Sequence, residues 1–225
     1  MTGRSKNVKA APRRGRPPKL GTRERLLSAG LEAMHTRGYH ATGIADIVER
    51  VELPKGTFYN HFDSKETFGA AVTDAFFSGV LDALTPFVDD ESRSPLARLR
   101  AYFEARVAAN RDRGYVKGCL LGNFSLECTD ESELIRDRLR EHFEGWAARL
   151  AGCLAEAQTC GELRRDISPE RLARFLITGW EGALLAMRVQ KNAAPLAEFV
   201  ENAFTWVLLP PPKSTMASKG TVKNC

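Results

Sequence analysis

The stretch Thr42–Lys65, TGIADIVERVELPKGTFYNHFDSK, constrains this chain more than any other. Ile44, Ile47, Val48 and Val51 recur at i, i+3, i+4 and i+7, so a short helix there has one apolar face to dock on a neighbour. Thr42 is the expected N-cap, and Asp46 in the first turn suits the positive end of the helix dipole. After a break at Glu52 and Leu53, Pro54 opens a second helix, because the N–H it lacks would go unpaired there anyway. Burying Phe58 leaves Lys55, Thr57, Tyr59 and His61 as outward donors for phosphates and base edges, the layout of a recognition helix in a major groove.

Charge is distributed to match. The 225 residues carry a net charge of +5, yet residues 1–25 alone hold nine of the 33 basic residues against a single acid, Glu24. A basic end on an otherwise slightly acidic chain is expected where that end alone meets a polyanion. Residues 1–20 are basic and rich in Pro and Gly and are expected to be a disordered arm. Within them Arg14, Gly15, Arg16 and Pro17 spell RGRP, which resembles the core of an AT-hook, a segment that lies in the minor groove. A solvated basic tail with only nonspecific phosphate attraction fits the same four residues.

Helical spacing continues to the end, without strand-like alternation, so the fold class is all-α. A first helix is expected over Thr22–Arg37, with Leu27, Leu31 and Met34 on one face and Gly38 as its stop. Ser64 or Asp63 caps the next, with Asp63 and Glu66 in capping-box spacing, and it should end near Leu84 before Pro86. Pro95 opens a further helix, another spans about Ser132 to Cys160, and Ser168-Pro169-Glu170 starts one more. Leu196, Phe199, Val200, Ala203, Phe204 and Val207 give the last. The two final helices have wide apolar faces, as expected of a four-helix bundle across a two-fold axis in a homodimer. The expected divisions are an arm (1–20), a helix-turn-helix domain (21–66), a helical body (67–209) and a disordered tail (210–225).

Several functions find no support in the composition. No run approaches the ~18 apolar residues of a membrane span and no signal peptide follows Met1, so a cytoplasmic protein without a membrane partner is expected. Five cysteines, an odd number, argue against a disulfide framework, and Cys153 and Cys160 would stand ~10 Å apart along one helix. The four histidines show no zinc spacing, so no metal site is expected, and no cofactor motif is found. No histidine lies in a partner motif for Cys119 as a nucleophile, so the chain is not expected to be an enzyme.

PKGTFYNHFDSKETF, preceded by TGIADIVERVEL, resembles the N-terminal domain of the TetR family of bacterial transcriptional regulators. The resemblance is close over the first third of the chain and extends beyond it in helix pattern and a few local motifs. It departs at Glu52, where the family commonly has glycine, so a looser turn is expected. It implies a dimeric repressor that binds double-stranded operator DNA and is released by a small-molecule effector, with Lys65 available to a phosphate. GCLLGN (118–123) and GWEGAL (179–184) are similar to a subgroup that responds to N-ethylmaleimide-like electrophiles and to acrylate, which implies an electrophile or small unsaturated acid as effector. That similarity draws attention to Cys119 as a thiol sensor, with Lys117 near enough in sequence to lower its pKa. A redox-sensing repressor acting through Cys119 without a reversible ligand is the alternative, and a buried, inert cysteine is the bland one. Arg188 stands where electrophile-sensing relatives have a lysine, which suits a carboxylate better than a cysteine–lysine crosslink. Trp146, Trp180, Phe124, Tyr102 and Phe143 are candidates for an aromatic pocket with Asn123 or Glu181 as polar anchors, or are simple core.

Overall fold

A computed structural model of the chain describes residues 21–209, and the RGRP arm with Arg14 and Arg16 and the tail 210–225 lie outside them. The described residues are helical throughout, in the order α1 (Thr22–Arg37), α2 (Ile44–Arg50), α3 (Lys55–Tyr59), α4 (Lys65–Val88), α5 (Pro95–Asp112), α6 (Leu120–Glu127), α7 (Glu133–Thr159), α8 (Pro169–Gln190) and α9 (Ala194–Asn202), which widens into a π-helical turn over Ala203–Val207. Helices α1 to α3 form a head, α5 to α9 a body, and α4 runs from one into the other.

The head closes around Phe58, Phe62 and Phe68, whose rings pack edge-on or tilted within 5.5 Å of one another. Burying each such ring contributes about 1.5–3 kcal/mol. The buried stripe of α1 is Leu26, Gly30, Ala33 and Met34, so the expected Leu27, Leu31, Met34 face is rotated, with Leu27 and Leu31 only partly buried. Gly30 explains the rotation: a Cβ there would come within 2.4 Å of the Phe68 ring, so the missing side chain lets α4 press against α1.

Two boundaries and one capping contact differ from expectation. Thr42 is not the cap of α2; Gly43 is, while Thr42 is fully buried and its hydroxyl donates to the Gly38 carbonyl at 2.8 Å. Asp46 Oδ2 accepts the Gly43 N–H at 3.1 Å, satisfying one of the orphan donors of the helix start. At α4 the cap is Ser64, paired with Thr67: Ser64 Oγ accepts the Thr67 N–H at 3.0 Å and Thr67 Oγ1 the Ser64 N–H at 3.1 Å. Glu66, freed from the expected capping box, accepts instead from the hydroxyl of Ser132, the residue that caps α7. The same helix runs past Pro86 to Val88. Pro86 and Asp82, whose carbonyl it leaves without a donor, are both exposed, so water can serve that carbonyl.

Helix α4 also corrects the reading of hydropathy: an 18-residue window averaging 1.3 makes it long and apolar enough to cross a membrane. Its Phe68, Ala70, Val72, Phe77 and Leu84 are buried against the rest of the fold, chiefly α1, α5 and α7, as in a core spine.

Candidate functional site

The reading face is built on a tight turn. Between α2 and α3 the Leu53 N–H returns to the Val48 carbonyl at 3.0 Å, and Glu52 takes φ +53°. The turn is therefore closed in a glycine-like conformation rather than loosened, at a cost of about 1–2 kcal/mol for a residue with a Cβ. Arg25 of α1 clamps it by donating from Nη2 to the Val51 carbonyl at 2.5 Å. With the turn fixed, Phe58 points inward and Lys55, Tyr59 and His61 stand exposed, while Thr57 is half-buried. Gly56 and Asn60, which sequence reasoning passed over, are exposed beside Lys55 and Tyr59 at i+1 and i+5. Lys65 is half-buried at the start of α4, its ammonium 4.4 Å from the Tyr39 ring centroid, and burial holds its pKa below the usual lysine value.

The second site is a cavity of about 610 Å³ between α6, α7 and α8. Cys119, Gly122 and Asn123 line it from α6 and its cap, Phe143, Ala147 and Ala148 from α7, and Ile177, Glu181 and Leu184 from α8. Gly122 lets Glu181 reach the α6 backbone, since a Cβ there would meet Glu181 Oε2 at 2.4 Å. Glu181 Oε1 is buried without a hydrogen-bond partner, and burial pushes the carboxyl up to about 7, with the neighbouring Cys119 thiol acting the other way. Burial first, then the Glu181 charge, raises the Cys119 thiol well above its ordinary value. The thiolate is the reactive form of cysteine, so this site disfavours it.

The expected neighbours of Cys119 are elsewhere. Lys117 pairs with Glu32 of α1 at 2.6 Å and does not lower the thiol. Arg188 donates from Nη1 to Asn123 Oδ1 at 3.2 Å, on the α6 side of the cavity. Trp146 and Trp180 fall on the core side of the two readings: both are buried and neither lines the cavity. Trp180 packs against Phe103 and Phe199, with centroids 5.2 and 5.8 Å away, because its position on α8 faces α5 and α9. Of the expected aromatic lining only Phe143 is present. Among the described residues no cluster of His, Cys, Asp or Glu suits a metal ion.

Helix α6 separates cavity from head and touches both. Glu127 Oε2 accepts the N–H groups of Tyr39 and His40 at 2.8 and 3.2 Å, and Phe124 meets the Tyr39 ring at 5.4 Å. His35 Nε2 donates to the Gly118 carbonyl at 2.7 Å, one residue before Cys119.

A helix-turn-helix head carried on an all-α body with an internal cavity defines the class of helical, cavity-bearing transcriptional regulators. Comparison with known proteins makes this specific. Residues 26–72 match the family model of bacterial regulatory proteins of the tetR family, and residues 95–203 that of the tetracyclin repressor-like C-terminal domain. The chain is 39% identical to the HTH-type transcriptional repressor DhaR of Mycobacterium sp. strain GP1, across 83% of this chain and 92% of that one. It is 35% identical to the transcriptional regulator AcuR of Cereibacter sphaeroides, across 88% and 93%. The crystal structure of Escherichia coli NemR in its reduced form superposes with a TM-score of 0.77 at 27% identity, covering 85% of this chain and 98% of that one. The chain belongs to the TetR family of transcriptional regulators.

Proposed function

We propose that the chain is a dimeric repressor whose head, residues 21–66, binds operator DNA and whose body, residues 67–209, releases it when a small molecule enters the cavity. The observation that carries this is the position of α6. Its Asn123 and cap residue Cys119 line the cavity, while Glu127 and Phe124 hold the head. A ligand that prefers one placement of α6 therefore biases the head, and only that difference in affinity drives release. The partner subunit fits on α8, where Phe175, Leu185 and Val189 are exposed on one face at 47%, 51% and 84%. Apolar side chains so exposed on one helix face mark an association surface.

Thiol sensing at Cys119 is the weaker reading, because burial raises the thiol well above its ordinary value and so disfavours the reactive thiolate. The test is fluorescence anisotropy with DNA from the region upstream of the chain's own gene. Tyr59→Ala should weaken binding by about 10–100-fold, the loss of one good base or phosphate contact, while the dimer persists by sedimentation. Unchanged affinity in this variant would refute the assignment of α3 as reading helix.

A further inference from the structure

The cavity's chemistry narrows what can enter it, on the reading that it is the effector site. Its walls are mostly apolar, and the buried polar atom left without a partner there is Glu181 Oε1. A buried polar group in that condition costs about 1–3 kcal/mol until something pairs with it. Arg188 donates to Asn123 and is not among the residues that line the cavity. The remaining charged groups in the lining, Glu144, Glu170 and Arg174, are exposed at the rim. Three carboxyl groups against one guanidinium disfavour an anion. An ammonium would have to shed its water among mostly apolar walls, a cost that attraction to a single buried carboxylate offsets poorly.

The geometry points to an uncharged, largely apolar small molecule that presents one hydrogen-bonding group to Glu181 Oε1. Cys119, beside the same carboxyl, then lines the site rather than reacting, and Gly122 keeps the carboxyl's approach to α6 open. Filling the partner position of Glu181 ties α8 to the ligand beside α6, the helix that holds the head.

Four probes of one skeleton separate the alternatives: benzyl alcohol, benzylamine, benzoate and toluene, titrated into the full-length protein with ligand-observed NMR. Benzyl alcohol should bind at least about tenfold tighter than benzylamine or benzoate, and tighter than toluene. Glu181→Gln, which keeps shape and hydrogen bonding, should retain that order. Glu181→Leu should erase the advantage of the alcohol over toluene, with helicity by circular dichroism unchanged. Tightest binding by benzylamine, lost in Glu181→Gln, would overturn the inference in favour of a cation site, and tightest binding by benzoate in favour of an anion site through Arg174. Ala148→Trp, at an exposed lining position, should abolish binding of the alcohol. Binding of none of the four, or binding that Ala148→Trp leaves intact, would overturn the reading of the cavity itself.

Discussion

The head and the cavity are built on opposite plans. The reading surface is carried by consecutive residues of one five-residue helix, Lys55 to Tyr59, fixed by a turn directly before it. The cavity draws Cys119 and Asn123 from α6, Ala148 from α7 and Glu181 from α8, residues brought together only by the packing of the whole body. The head presents exposed donors to solvent, where a polyanion can reach them. The cavity buries a carboxyl that lacks a partner. On the proposed function, local precision suits a surface that meets phosphates and base edges, and an unpartnered polar atom suits a site that takes one small molecule.

That contrast is open to attack at Glu181, where the largest effect is expected. Its folded pKa of about 7 exceeds the ordinary 4.5, so the folded state binds the extra proton between those values. Stability is thus lost as pH rises from about 4.5 through about 7, by roughly 3–4 kcal/mol at most. Glu181→Gln should remove that decline, stabilising the protein at pH 8 and much less at pH 5, as read by urea unfolding at each pH. Equal effects at both values would mean that the carboxyl is not desolvated. The smaller effect is in the head. Glu52→Gly relieves a residue at φ +53° and should stabilise the fold by up to about 1 kcal/mol, the gain being trimmed by glycine's greater freedom when unfolded. Destabilisation on thermal melting would show that Glu52 makes a contact worth more than the strain.

The same contrast explains what the sequence disclosed. Helix spacing, Pro54, Ser64 and Gly38 are local signals, and the all-α architecture with its helix-turn-helix follows from them. Failures occurred where a distant residue decided the outcome. Thr42 has the composition of a cap but is drawn inward by the Gly38 carbonyl. The stripe of α1 depends on Phe68 in α4, which only Gly30 can admit. Trp180 resembles a pocket residue until α5 and α9 close over it, and Lys117, two residues from Cys119, turns away to Glu32. No spacing rule reports that Glu181 Oε1 lacks a partner, since that depends on every element packed around it.

The most direct test of a two-fold reader built on α3 is selection from random duplex DNA by the full-length protein. The expected result is enrichment of paired, inverted half-sites with centres about 34–36 Å apart or a multiple of that repeat, matching two recognition helices in major grooves on one face of the duplex. Tyr59→Ala, carried through the same selection, should enrich these sites far more weakly. Unpaired sites from the wild-type chain, or equal enrichment by the variant, would contradict it.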